Sequence, residues 1–233
     1  MVSPIENIDP AGILIVDKPK GVTSHDVVAI VRRHFQIKKV GHAGTLDPNA
    51  TGVLVLLLGK ATKLSETFLN QDKEYEGVMK LGEKTDSGDC EGKVLKVREV
   101  NVDEDELRKV VNSFQGEIEQ VPPMFSAKKI GGKRLYKLAR KGLEIKREPR
   151  KIHIKEIEIE NVNVPMVHLR VVCSKGTYIR QLADDIGEAL GCGANLAELR
   201  RTRSGEFDLT KAVKFDALSK MDKEKFYENI SRI

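Results

Sequence analysis

The chain contains no tryptophan and only three cysteines, Cys90, Cys173 and Cys192, far apart in the sequence. So few and so scattered, they fit neither the disulfide framework of a small secreted domain nor the paired spacing of a zinc cluster, and they read as free thiols. No apolar run approaches the roughly 20 residues that a membrane-spanning helix needs. Residues 1–10 lack the basic and apolar regions of a signal peptide, so a cytoplasmic protein is expected. A Gly-Lys-Ser/Thr phosphate loop is missing, as is a Gly-x-Gly-x-x-Gly turn after a strand, which argues against an enzyme handling phosphate through a glycine loop. There is also no internal repeat and no low-complexity tract.

What is present is a chain of 233 residues, 40% hydrophobic and 32% charged, the composition of a globular protein. That length suits one large domain, or one domain with a sizeable insertion. The net charge is only +5, but Val121 to Lys151 holds eleven Lys or Arg against two Glu, a local net charge of +9, so the remainder is mildly acidic. Positive charge gathered in this way raises local phosphate affinity, as a nucleic-acid binder requires. A solvated basic surface is the plainer alternative.

The apolar run Ile13 to Val16 ends in Asp17-Lys18-Pro19-Lys20-Gly21 and reads as a buried strand leaving into a turn. Ser24 is placed to cap a helix carrying Val27, Val28, Val31 and Phe35 on one face. Val53 to Leu58 reads as a second buried element. Glu74 to Leu81 alternates, with Tyr75, Gly77, Met79 and Leu81 on one side, and Val94 to Val100 looks like its partner strand across a Gly/Asp-rich turn. Asp103 and Glu106 form a capping-box pattern for a helix bearing Leu107, Val110, Val111 and Phe114. Two strands follow, Ile152 to Val162, with a parity shift that suggests a bulge, and Val167 to Cys173. A helix beginning near Thr177 carries Ile179, Leu182, Ala183, Ile186 and Leu190 on its apolar stripe, with Arg180 on another face. Strands and helices mix without a regular βαβ repeat, so the class is α+β.

Between Val40 and Gly52 neither helical nor strand periodicity appears. Gly41-His42-Ala43-Gly44-Thr45-Leu46-Asp47-Pro48-Asn49-Ala50-Thr51-Gly52 packs three glycines, a histidine and an Asp-Pro step into one segment. Pro48 restrains Asp47 toward an extended backbone, a means of holding one carboxylate rigidly. A plain turn at Asp47 is the competing reading. Other constellations are weaker. Asp184 and Asp185 are adjacent and point apart on a helix, as a solvated face would. Thr85-Asp86-Ser87-Gly88-Asp89 reads as a turn, and His42 has no partner at metal-ligand spacing.

Five segments occur in order over about residues 11 to 215: Val16-Asp17-Lys18-Pro19; Gly41 to Pro48; Lys73-Glu74-Tyr75; Val121-Pro122-Pro123-Met124-Phe125-Ser126-Ala127; and Cys173-Ser174-Lys175-Gly176-Thr177-Tyr178-Ile179-Arg180. Together they resemble the bacterial tRNA pseudouridine synthase B family. The resemblance implies the pseudouridine synthase catalytic fold, a mixed, mostly antiparallel sheet flanked by helices. It also implies a catalytic domain over 1–215 with a basic RNA-binding insertion at about 121–151, and a short helical tail over 216–233. Many members of that family continue into a small C-terminal RNA-binding domain, whereas this chain stops at Ile233, so affinity is expected to rest on the catalytic domain and its insertion.

The activity implied is isomerisation of a uridine in the T arm of tRNA, position 55, to pseudouridine: the bond from ribose to the base nitrogen breaks, the base turns, and the bond re-forms through carbon. By the same resemblance Asp47 is the catalytic aspartate, Tyr75 packs against the target base, and Arg180 pairs with the carboxylate. An ordinary core tyrosine and a surface cation are the bland readings of those last two. His42, Tyr178 and Leu199 match positions that contact the flipped nucleotide or its neighbours, and Lys18 matches a basic position beside the site. Lys128, Lys129, Lys133, Arg134 and Arg140 in the insertion are the phosphate contacts implied. No cofactor and no metal is implied, the partner is the T-arm stem-loop, and a monomer is the expected state. A tRNA-binding or folding factor without catalysis is the alternative from another class. The sequence leaves open whether Asp47 attacks the ribose, adds to the base, or removes a ribose proton.

Overall fold

A computed structural model describes residues 11–232. The chain forms two compact units, one made of residues up to Gln71 with those from Arg201 onward, the other running from Asp72 to Arg200.

In the first unit β1 (Gly12–Lys18) lies antiparallel to β3 (Thr51–Leu58), with Ile13 opposite Leu57 and Lys18 opposite Gly52. Nearly every residue of both strands is buried, which is why each reads as a continuous apolar run rather than an alternation. Between them come α1 (Ser24–His34) and the short β2 (Val40–His42), which also pairs with β3. The expected helix is present, but Ser24 is not its cap. Thr23 holds that position, its side chain accepting from the Asp26 N–H while the Asp26 carboxylate takes the Thr23 N–H, a closed capping box. The segment expected to lack regular structure is thus shortened, since β2 takes its first three residues and β3 its last two. A short helix, α2 (Ser65–Leu69), closes this part.

The second unit is built on the antiparallel order β4 (Lys73–Leu81), β11 (Met166–Cys173), β10 (Arg150–Asn163), β7 (Gly116–Gln120). The expected inward residues of β4 and β11 meet across the ladder, Tyr75 opposite Val171 and Met79 opposite Val167. α3 (Glu104–Ser113), capped by Asp103, and α5 (Ile179–Ala189) cover this face, burying Leu107 and Val111 from one and Leu182, Ala183 and Ile186 from the other. The β10–β11 register shifts between Ile154 and Glu156, where the parity change pointed to a bulge. One pairing expectation fails: β6 (Val94–Val97) pairs with β5 (Glu83–Thr85) in a separate two-stranded ribbon. Gly82, with φ of +86°, turns the chain out of β4 first, and the edge of β4 is taken by β11 instead.

Inside the basic insertion, β8 (Lys129–Ile130) and β9 (Lys133–Arg134) form a hairpin leading into α4 (Leu135–Ala139). Its two-residue turn, Gly131-Gly132, has φ of +56° and +78°, the left-handed pair that such tight hairpins require.

β12 (Ala194–Ser204) begins in the second unit and ends in the first, where β13 (Phe207–Asp208) pairs with it and β14 (Val213–Lys214) runs parallel to β1. The terminal segment is only partly helical, with α6 (Phe215–Leu218), α7 (Lys223–Glu228) and then β15 (Ser231–Arg232) on β1. Phe226 stacks on Phe35 with ring centroids 3.7 Å apart, anchoring this segment against the end of α1. Among the described residues no helix is long and apolar enough to cross a membrane. The fold is α+β, with mostly antiparallel sheet flanked by helices.

Gly52 shows how tightly the first unit is assembled: its φ is +99°, and a Cβ there would lie 2.2 Å from the main-chain oxygen of Arg201. Gly52→Ala is therefore expected to lower the unfolding free energy by about 3 kcal/mol or more, read from urea titration.

Candidate active site

Asp47 sits half-buried at the turn between β2 and β3, and its surroundings account for its fixed position. Its carbonyl accepts the Ala50 N–H at 3.1 Å, closing the turn that Pro48 begins. The carbonyl of Pro48 accepts both the Gly21 N–H at 2.9 Å and the Lys18 Nζ at 3.0 Å. On the other side of Asp47, the main chain of Leu46 is bonded twice to one side chain: Ser24 Oγ donates to the Leu46 carbonyl at 3.0 Å and accepts the Leu46 N–H at 2.9 Å. The buried Arg201 guanidinium donates from Nε to the Val53 carbonyl at 2.7 Å and from Nη2 to that of Gly44 at 3.0 Å. The bland reading of Asp47 as a turn former is right about the backbone, but an ordinary turn does not have three buried side chains gripping it.

Lys18, expected beside the site, lies under the loop and is fully inaccessible. Its ammonium donates to the carbonyls of Pro19 at 2.8 Å, Val22 at 2.6 Å and Pro48 at 3.0 Å, which uses all three hydrogens. Burial pushes the amine down to about 8, Asp47 pulls it back up, and Arg201 lowers it further. His42 is half-buried on β2, and its imidazole is held below its usual range by burial first, then by the charges of Arg201 and His25. Its Nδ1 is buried and has no hydrogen-bond partner among the described residues. Lys18, His42 and Asp47 thus gather in the first unit.

The second unit holds the other expected residues. Tyr75 and Leu199 pack against the same apolar cluster, between α5 and the sheet. Gly77 keeps the space beside them open, because a Cβ there would press on Leu196 at 3.3 Å and meet Leu199 at 3.8 Å. Tyr178 is the residue from which α5 starts, and the buried side chain of Gln120 holds its main chain at both ends: the amide oxygen accepts the Tyr178 N–H at 2.8 Å, and the amide nitrogen donates to its carbonyl at 3.1 Å. Arg180 is not the surface cation of the bland reading, being 5% exposed. Its Nη1 donates to the Ser87 carbonyl at 2.6 Å, Nη2 to that of Phe125 at 2.7 Å, and Nε lies 3.6 Å from the Asp89 carboxylate. Asp184 and Asp185 differ from the solvated face expected of them. Asp184 pairs with Lys84 at 2.9 Å, and burial pushes the Asp185 carboxyl up.

In the insertion, Lys129, Lys133, Arg134 and Arg140 are exposed and Lys128 is half-buried. Lys129, Lys133, Arg134, Lys137 and Lys141 line a cleft of about 600 Å³. Arg140 lies over the Tyr136 ring, 5.5 Å from its centre. Five cations around one cleft, with no carboxylate in its lining, favour a polyanion.

A family model described as TruB family pseudouridylate synthase (N terminal domain) matches residues 32–179, more than half of the chain, and one described as tRNA pseudouridylate synthase B C-terminal domain matches residues 180–231. The chain belongs to the TruB family. It is a pseudouridine synthase, an isomerase that converts uridine to pseudouridine. Among TruB relatives, the chain is 49% identical over 219 residues to the tRNA pseudouridine synthase B of Opitutus terrae, covering 94% of this chain and 90% of that one. It is 50% identical over 216 residues to that of Clostridium tetani, covering 92% of this chain and 75% of the relative. Among solved structures, one of a Cbf5-Nop10-Gar1 complex matches with a TM-score of 0.75 and 34% identity over 95% of this chain, which spans 60% of the matched chain. An H/ACA RNP bound to a substrate RNA containing 2'-deoxyuridine matches with a TM-score of 0.69 and 32% identity, over 94% of this chain and 56% of that one.

Four supporting residues escape sequence reading. Ser24 looks like a helix cap, Arg201 lies in the charged run Arg200-Arg201-Thr202-Arg203, Asp89 lies in a turn, and Gln120 ends a strand. The one available signal is Thr23 directly before Ser24: two capping residues in succession leave one hydroxyl for other use.

Replacing Lys18 tests the loop support. Lys18→Met leaves three carbonyls without their donor and is expected to cost about 3 kcal/mol in unfolding free energy. Below pH 8 the amine is charged in both states. From pH 8 to 10.5 the unfolded chain holds the extra proton, so the stability of the wild type relative to Lys18→Met rises with pH over that interval, measurable by urea titration at several pH values.

Proposed function

We propose that the protein isomerises a uridine in the T arm of tRNA, position 55, to pseudouridine, with Asp47 as the catalytic carboxylate and the target base flipped out of the RNA loop. The observation carrying this reading is the Asp47 loop, where buried groups on both sides hold one half-buried carboxylate at a fixed place. The names of the relatives, at about half identity over nine-tenths of the chain, support tRNA as substrate.

The reaction is an isomerisation. The bond from C1′ to N1 breaks, one from C1′ to C5 forms, the hydrogen on C5 leaves as a proton, and N1 ends with a proton. No electron is gained or lost, so no cofactor is required. A uridine inside a folded loop must leave its stack to be turned, at a cost of a few kcal/mol that pocket contacts return. Tyr75 is assigned to the face of that base, Arg180 is the cationic partner of the carboxylate, and His42, Tyr178 and Leu199 contact the flipped nucleotide or its neighbours. Lys18 supports the loop from beneath. Lys128, Lys129, Lys133, Arg134 and Arg140 hold phosphates of the stem-loop, an electrostatic contact that reads shape rather than sequence. The protein acts as a monomer in the cytoplasm.

Asp47→Asn is expected to abolish tritium release from an unmodified tRNA transcript labelled at uridine C5 while binding the transcript with affinity close to wild type. Release by that variant sinks the assignment, and binding without release by the wild type moves the protein to the tRNA-binding factors. Removing residues 127–146 is expected to weaken transcript binding and flatten the dependence of log Kd on log salt by several ions' worth. An unchanged slope would make the basic stretch a solvated surface.

A further inference from the structure

We propose that Ser24 is a positioning residue for the isomerisation, its hydroxyl setting the direction in which Asp47 presents its carboxylate; this rests on the reading of Asp47 as the catalytic group. Ser24 is 2% exposed, and its Oγ is bonded to both the N–H and the carbonyl of Leu46. Those two groups lie in different peptide planes, one entering Leu46 and one leaving it toward Asp47. A hydroxyl has one hydrogen to give and lone pairs to accept with, so a single atom serves both. Holding both planes fixes the two backbone torsions of Leu46, and with them the placement of the N and Cα of the next residue, from which its Cα–Cβ bond departs.

The support is confined to one side. Beyond Asp47 the chain is held separately, by the ring of Pro48, by Lys18 and Gly21 on the Pro48 carbonyl, and by Ala50 on the carbonyl of Asp47. Before Asp47, the Leu46 side chain is 3% exposed and anchored, so loss of the hydroxyl leaves two buried main-chain groups without partners while the side chain stays in place. The loop relieves this by turning a peptide, and Asp47 turns with it. Ser24 is available for the task because Thr23 caps α1, and as the first residue of that helix it is held by the helix itself.

The test measures single-turnover tritium release and Kd on the labelled transcript for wild type, Ser24→Ala, Ser24→Thr and Asp47→Asn, each rate expressed per molecule competent to bind RNA. Ser24→Ala is expected to react about a hundredfold more slowly, the scale of an ångström's misplacement, with Kd unchanged. Ser24→Thr, which restores the hydroxyl, recovers most of the rate. The proposal is overturned by a wild-type rate for Ser24→Ala, by a rate loss accompanied by an equal loss of affinity, or by Ser24→Thr being no faster than Ser24→Ala. If Ser24→Ala does not fold, Ser24→Cys keeps the volume with a weaker hydrogen-bonding group: slow turnover at unchanged Kd supports the proposal, and a wild-type rate overturns it. Turnover by Asp47→Asn defeats the catalytic reading itself, whereas an inert Asp47→Asn beside a fast Ser24→Ala defeats only the role of Ser24.

Discussion

An ammonium group with no access to water, all of its hydrogens given to main-chain oxygens, determines where the Asp47 loop lies. Lys18 bonds the carbonyls of Pro19 and Val22 on its own side and that of Pro48 across from it, so the end of β1 and the loop before β3 are tied by one charge. Stripping water from a cation is costly, and carbonyl dipoles return only part of that cost; the negative charge of Asp47 contributes more. Arg201 repeats the arrangement from another strand, and in the second unit Arg180 is bound to two carbonyls as well. Each of these cations binds main-chain carbonyls, which lets it hold loops whose own sequence supplies few side-chain partners.

Charge and shape are divided between regions. Buried cations organise the interior, while five cations of the insertion line a single cleft. The outer face of the second unit's sheet is different again: Arg170 is shared among Glu74, Glu156 and Glu158, so positive charge there is neutralised locally. Charge gathered around the insertion's cleft favours a polyanion there, whereas on that outer face it is already paired.

The sequence revealed most where a pattern has a single physical cause. Continuous apolar runs marked β1 and β3, alternation marked β4 and β11, and a parity shift marked the bulge in β10. Ordered motifs led to Asp47 through the family resemblance. What stayed hidden were decisions between near-equal local choices and bonds between residues far apart in the chain. Thr23 and Ser24 are both good caps, and only the position of Leu46 tells which is needed elsewhere. β6 has the residues of a partner for β4, yet Gly82 sends the chain aside first and β11, eighty-odd residues later, takes the edge. Arg201 looks like one of several surface cations because nothing in its neighbourhood reports the Gly44 carbonyl it will bind.

The bonds from Arg201 to Val53 and Gly44 join residues about 150 positions apart, and the strand and helices that complete the first unit come later still. As the chain emerges from a ribosome, residues 72–200 are available to fold while the Asp47 loop still waits for the arginine that grips it. The contacts of Arg201 are therefore the last of the loop's supports to become available. A nascent or prematurely ended chain has the Asp47 loop tied to Lys18 and Ser24 but lacks the guanidinium that binds Gly44 and Val53.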